Sequence, residues 1–204
     1  VQPLRLLQET PSQTAGPYVH IGTTPNLLGI DGVYESDLGS VMVNDKTKGE
    51  RIRIEGMVLD GTGTPLRDAL VEIWQADASG LYPALNETRG AADPEFAGFG
   101  RCAGDGETGL WHFDTIKPGT VPYPDGRMQA PHVTLWVVAR GINIGVHTRM
   151  YFPEEEQANE ADPVLGRIEH RVRVPTLIAE KVADGKYRFD IHLQGENETV
   201  FFDM

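Results

Sequence analysis

Glycine and proline interrupt this chain so often that long helices have little room to form. The 204 residues include 23 glycines and 14 prolines, and both residue types are unfavourable in helix interiors. Asp-Gly supplies the positive φ angles that tight hairpin turns require. We therefore expect β-hairpins at several of the five Asp-Gly pairs, which stand at 31–32, 60–61, 105–106, 125–126 and 184–185.

The segments between these turns show the two-residue alternation that is typical of β-strands. The clearest example is 186–193, where Tyr187, Phe189 and Ile191 would face the same side. One helix is predicted at 153–161, because Pro153 suits a first helical turn and glutamates follow it. The predicted fold is all-β, a β-sandwich with long loops and one or two short helices. The remaining predicted strands are 51–59, 70–75, 110–116, 133–139 and 144–152.

The length of the chain predicts the number of domains, and its net charge indicates which classes of partner are disfavoured. A chain of 204 residues fits one domain, so we expect a single β-sandwich over 1–204 with an amino-terminal arm and loops over 1–50. A net charge of −12 disfavours nucleic acid and anionic membrane surfaces as partners. Cys102 has no second cysteine for an internal disulfide, which fits a reducing compartment. We therefore expect a cytoplasmic protein with no membrane span.

Several longer strings carry the most specific information in the sequence. They are TPSQTAGPYVH at 10–20, VEIWQAD at 71–77, GR at 100–101, TIKPG at 115–119, APH at 130–132 and GENETVFFD at 195–203. Together they resemble the intradiol ring-cleavage dioxygenases, in particular the members built from α and β chains that cleave protocatechuate. The resemblance implies a β-sandwich core, in agreement with the strand pattern, and a reaction that depends on Fe(III).

The resemblance also assigns four iron-ligand positions, two for tyrosinates and two for histidines. Tyr82 and His132 match the first tyrosine and the first histidine. The second tyrosine position holds Val121 and the second histidine position holds Thr134. Valine has no donor atom, and a threonine hydroxyl replaces an imidazole poorly. We therefore expect this chain to bind no metal and to contain no catalytic residue by itself, with Tyr82 and His132 as relics of a ligand set.

By the same resemblance, Fe(III) belongs to a partner β chain and this chain forms part of the substrate wall. The substrate-binding positions that it implies are Thr14, Gly16, Pro17, Tyr18 and Arg140. Protocatechuate, 3,4-dihydroxybenzoate, carries a ring carboxylate that a guanidinium and a phenol hydroxyl can bind. The assembled enzyme would use O2 to open the ring to 3-carboxy-cis,cis-muconate, and the isolated chain would be inactive.

Two alternative functions stay open at this point. The first is a self-sufficient catechol or hydroxyquinol dioxygenase, which needs an iron site rebuilt around Tyr82 and His132 with a substitute donor such as Tyr123. The second is a β-sandwich that serves only as a non-catalytic structural partner, in which Arg140 merely ends a strand in an ion pair. Substrate binding by Arg140 distinguishes this second alternative from a shared active site.

Overall fold

The computed structural model describes residues 13–16, 18–143 and 145–203. Within these residues there are two α-helices, Tyr18–Thr23 (α1) and Glu156–Ala161 (α2), and 3-10 helices at Asn26–Leu28, Leu165–Arg167 and Arg171–Leu177. No helix in this part of the chain is long and apolar enough to cross a membrane. The strands are Arg51–Gly56 (β1), Val58–Leu59 (β2), Leu70–Trp74 (β3), Phe99–Ala103 (β4), Trp111–Ile116 (β5), Val121–Pro122 (β6), Met128–Gln129 (β7), His132–Val138 (β8), Val146–Tyr151 (β9), Glu180–Ala183 (β10), Lys186–Arg188 (β11) and Ile191–His192 (β12).

Two four-stranded sheets form the body of the fold. The first has the order β10-β11-β1-β5 and the second has the order β4-β3-β8-β9. In the first sheet β1 runs parallel to β11 and antiparallel to β5, whereas the neighbours in the second sheet are all antiparallel. Two small sheets, β2 with β12 and β6 with β7, complete the described topology. The all-β prediction is therefore confirmed.

Apolar side chains from both large sheets meet in one core. Ile54 of β1 and Phe113 of β5 belong to the same buried cluster as Ile73 of β3 and Leu135 of β8. Alternate residues enter this core, as the period of two requires; in β1 the exposure alternates from Arg51 to the buried end of the strand. Burial of each large apolar side chain contributes roughly 1.5–3 kcal/mol. The shared core gives the packing of a β-sandwich.

The predicted strand at 186–193 is divided in two, which corrects the expectation of one continuous element. Phe189 and Asp190 separate β11 from β12, and the Asp190 carboxylate accepts a hydrogen bond from the Met57 backbone N–H at 2.8 Å. Met57 is the residue between β1 and β2. The two neighbouring strand pairs are therefore interrupted next to each other. The predicted inward set is confirmed, because Tyr187, Phe189 and Ile191 are all buried.

The hairpin prediction is confirmed at two of the Asp-Gly pairs. Gly126, with φ of 90°, lies between β6 and β7, and Gly185, with φ of 65°, lies between β10 and β11. The helix predicted at 153–161 starts later than expected. Pro153 lies in a turn, and α2 begins only at Glu156.

Candidate functional site

The four predicted ligand positions, Tyr82, Val121, His132 and Thr134, are called the relic cluster below. On β8 the side chains of His132 and Thr134 lie on the face of the second sheet that points away from the core, since the intervening Val133 is buried in it. Directly paired residues of antiparallel strands project from the same face. Thr134 pairs with Arg149 of β9, and His132 pairs with Tyr151. This outer face therefore carries two of the four positions, His132 and Thr134, together with their strand partners.

Tyr82 joins the outer face through an aromatic contact with the end of β3. Its ring stacks on Trp74 with a centroid distance of 5.8 Å and an interplanar angle of 10°. The loop that carries it is fixed by Asp77, whose carboxylate accepts the Leu81 N–H at 3.0 Å, and by Glu87, which accepts the Tyr82 N–H at 3.1 Å. Burial raises the pKa of the Tyr82 phenol.

His132 is a buried neutral imidazole that is held in one orientation. Its Nδ1 lies 2.7 Å from the Ala130 carbonyl oxygen; because a carbonyl only accepts, Nδ1 carries the hydrogen and the lone pair is on Nε2. Burial, with a further contribution from the charge of Arg149, lowers the His132 pKa to about 4. Its ring also contacts Tyr151, with centroids 5.7 Å apart. His132 is therefore a packed and hydrogen-bonded residue.

The other two positions of the relic cluster offer no strong metal donor. Val121 is buried in β6, where it pairs with Gln129 of β7. Thr134 presents only a half-buried hydroxyl. The Tyr123 hydroxyl, which was considered as a substitute donor, accepts a hydrogen bond from Arg167 at 2.6 Å. In the part of the chain that the structure describes, no group of three or more His, Cys, Asp or Glu side chains is arranged to hold a metal ion.

This donor set does not fit a ferric ion. A stable metal site needs its full ligand number in a suitable geometry, and only one imidazole and one phenol stand at the four positions, beside a valine and a threonine. The residues at these four positions therefore do not support metal-based chemistry in this chain.

The predicted substrate-binding residues Thr14 and Arg140 lie together at the other end of β8. The Gly141 backbone N–H donates to the Thr14 hydroxyl at 2.9 Å, and the same hydroxyl donates to the Ala139 carbonyl at 3.4 Å. Thr14 thus attaches the amino-terminal segment on both sides of Arg140. Gly16 accepts a hydrogen bond from Val19 at 3.1 Å in the first turn leading into α1, while Pro17 lies outside the described residues.

Tyr18 and Arg140 are both strongly exposed, and Asp68 contacts both Arg140 and helix α1. Tyr18 is 80% exposed and is the first residue of α1, so its predicted place in a loop is wrong. The Arg140 side chain is also 80% exposed, with its Nε 3.5 Å from the Asp68 carboxylate. His20 of α1 donates through Nε2 to the Asp68 carbonyl at 3.1 Å. The sequence predicts only a structural role for His20 and does not single out Asp68.

The two groups of predicted residues stand at opposite ends of one strand. His132 begins β8 and Arg140 follows two residues after its last residue, Val138. At about 3.3 Å per residue, His132 and Arg140 are separated by about 26 Å of extended chain. A single small aromatic acid cannot contact both positions at once.

Sequence comparisons relate this chain to a class of enzymes. The family model described as Dioxygenase matches residues 30–195. The alpha chain of protocatechuate 3,4-dioxygenase from Pseudomonas putida is 47% identical over 205 residues, which covers 99% of this chain and 100% of the relative. The alpha chain from Burkholderia cepacia is 38% identical, with coverage of 97% and 98%. The beta chain from Burkholderia cepacia is 33% identical, with coverage of 76% and 69%.

Solved structures share the same fold. A 3-chlorocatechol 1,2-dioxygenase from Rhodococcus opacus 1CP superposes with a TM-score of 0.56 at 23% identity, over 80% of this chain and 67% of that chain. An intradiol ring-cleavage dioxygenase from Tetranychus urticae gives 0.56 at 21% identity, over 79% and 89%. The chain therefore belongs to the intradiol dioxygenases, a family of generally Fe(III)-dependent enzymes. Because both full-length relatives above are alpha chains, it is an alpha-type subunit of such an enzyme.

Proposed function

We propose that this chain is the non-iron-binding alpha subunit of a cytoplasmic protocatechuate 3,4-dioxygenase. Its partner would be an iron-binding beta chain that holds Fe(III), and the assembled enzyme would use O2 to convert protocatechuate to 3-carboxy-cis,cis-muconate. The names of the full-length relatives support this assignment. The relic cluster supports the division of labour, since its donors do not fit iron.

The separation along β8 is the observation that carries the proposal. Arg140 and Thr14 lie at one end of the strand, and His132 lies at the other. A metal centre rebuilt around His132 would therefore leave Arg140 without a function in substrate binding. A site that uses Arg140 must instead be completed by another chain, which favours a shared active site over a self-sufficient dioxygenase.

Arg140 is suited to receive the carboxylate of the substrate. Its ion pair with Asp68 is long and exposed, so the pair is weak and the guanidinium can exchange it for another anion. Thr14 fixes the backbone on both sides of Arg140. Gly16, Pro17 and Tyr18 would shape the adjacent wall, and the wall would exclude water and orient the ring.

The segment before β1 offers a surface for the partner chain. Single exposed apolar side chains are ordinary on a soluble protein, but a group of them on one segment marks an interaction site. Eight such side chains fall within residues 18–41 and would be covered by the beta chain: Tyr18, Ile21, Leu27, Leu28, Val33, Tyr34, Leu38 and Val41.

The decisive experiment compares the isolated chain with the reconstituted pair. We expect the purified chain to be colourless and to show no protocatechuate-dependent O2 uptake, because its own donor set does not fit iron. Addition of an iron-binding beta chain should restore uptake. A visible tyrosinate-to-iron band together with activity in the isolated chain would instead establish a self-sufficient dioxygenase.

Substitution of Arg140 tests the substrate wall. In the reconstituted enzyme, Arg140→Ala should raise the KM for protocatechuate about tenfold, or ~1.4 kcal/mol, with little change in kcat, because the lost contact is to a non-reacting carboxylate. Steady-state O2 uptake measures both constants. Arg53→Ala is the matched control, since Arg53 pairs with Asp114 on the other large sheet. An unchanged KM in Arg140→Ala would support the purely structural partner.

A further inference from the structure

Arg149 occupies a central place on the outer face beside the relic cluster. It lies on β9 directly opposite Thr134 of β8, and Trp74 lies opposite Thr134 on the other side. Since Trp74 in turn stacks on Tyr82, the row across the face is Tyr82, Trp74, Thr134, Arg149. The position of the missing second histidine is thus next to a permanent cation.

The guanidinium is held in place by groups around the cluster. Its Nη1 donates to the Gln129 side-chain oxygen at 2.8 Å and lies 3.5 Å from the Tyr151 hydroxyl. Gln129 is the strand partner of Val121, and Tyr151 is the strand partner of His132. Arg149 therefore contacts the direct neighbours of two relic positions and is paired with a third.

The charge of Arg149 also affects the pKa values of the titratable rings on this face. Burial lowers the His132 pKa first, and repulsion by Arg149 lowers it further. Burial also raises the pKa of Tyr82 and of Tyr151, and in both cases the charge of Arg149 opposes the rise. These effects agree with the contacts in placing a positive charge among the cluster.

We propose that Arg149 is a built-in cation that takes the charge position of a metal ion and excludes metals from the relic cluster. Guanidinium stays protonated at all physiological pH values, and its repulsion of a multiply charged ion is strong in a half-buried site. Loss of two ligands is then only part of the reason that the cluster does not suit a metal. The inference concerns this chain alone and does not depend on the proposed partner or substrate.

His132 makes the proposal testable, because it is otherwise prepared to bind a metal. A ligand histidine usually donates one ring N–H to a carbonyl and binds the ion through the other nitrogen, and His132 already donates from Nδ1 to Ala130. Thr134→His would add a second imidazole two residues along the same face. Zn²⁺ is a suitable probe because it binds imidazole well.

The experiment measures Zn²⁺ affinity by calorimetric titration of the full chain. The variants are T134H, T134H/R149Q and T134H/R149K, with R149Q alone to account for binding elsewhere. We expect T134H/R149Q to bind at least tenfold more tightly than T134H and T134H/R149K, because lysine retains the charge. Equal Zn²⁺ affinity of T134H, T134H/R149Q and T134H/R149K would overturn the proposal.

Two additions keep the result decisive. T134H/R149M, which removes the charge while retaining a long side chain, is prepared in parallel in case the glutamine variant does not fold, and circular dichroism verifies folding of each variant. Adding V121Y to T134H and to T134H/R149Q extends the test to Fe(III), read as iron content and as a tyrosinate-to-iron absorption band. Iron bound equally by both of these variants would contradict exclusion by Arg149.

Discussion

Replacing Asp162 with alanine should lower the free energy of unfolding by about 4 kcal/mol. Asp162 is buried, with 1% exposure, and its carboxylate accepts backbone N–H groups from three places: Ala130 at 2.8 Å, Val164 at 2.8 Å and Leu165 at 2.9 Å. Alanine would leave these donors without an acceptor, and each buried donor so orphaned costs about 1–3 kcal/mol. Urea denaturation followed by circular dichroism measures the change.

Two further variants separate this effect from a general loss of charge. Asp162→Asn keeps one acceptor but turns an NH2 group toward backbone donors, so we expect an intermediate loss. Asp184→Ala is the surface control, because Asp184 is fully exposed and its pair with Lys181 is long, at 3.7 Å; its cost should stay below about 0.5 kcal/mol. A loss under 1 kcal/mol in Asp162→Ala would show that these bonds contribute little.

The bonds of Asp162 explain why part of a ligand set persists in a chain that does not suit iron. Ala130 follows β7 and precedes His132, so its bond to Asp162 fixes the start of β8. The Tyr151 hydroxyl also lies 3.4 Å from Asp162, and Tyr151 packs on the His132 ring. His132 is thus part of a buried polar network, and its replacement would disturb the junction of β7, β8 and β9.

The strand pattern predicted the core because burial acts on alternate residues of each strand. The inward side chains at 187, 189 and 191 were recognised from sequence order alone. The break at Asp190 depends on its bond to Met57, a residue far away in the chain, and no local pattern reports such a contact. Helix α1 was missed for a different reason: YVHIGT contains β-branched residues and glycine, which disfavour helices.

The sequence predicted those features of the candidate site that depend on the type of residue at a position. It missed those that depend on which residues the strand register places side by side. Val121 and Thr134 could be recognised as unsuitable ligands from their chemistry alone. Arg149 becomes a neighbour of Thr134 only through the pairing of β8 with β9, and strand register is set by the connecting turn. Asp68 likewise meets Arg140 and His20 only in the folded chain.

His132 should make the protein less stable as the pH falls below 6.5. Its pKa drops from the ordinary value of 6.5 to about 4 in the fold, first because it is buried and then because Arg149 repels the added charge. Between these two values the unfolded chain binds more protons at this site than the native chain, so the free energy of unfolding decreases as the pH is lowered. The loss should approach about 3 kcal/mol at pH 4.

Paired denaturation curves isolate this contribution. Carboxylates also titrate in acid, so the quantity to compare is the change in unfolding free energy between pH 6.5 and 4 in the wild type and in His132→Gln. That change should be about 3 kcal/mol smaller in the variant, whereas His112→Gln, at an exposed position of β5, should behave as the wild type does. Equal changes in wild type and His132→Gln would mean that His132 accepts a proton within the fold, and its buried environment would then have to open at acidic pH.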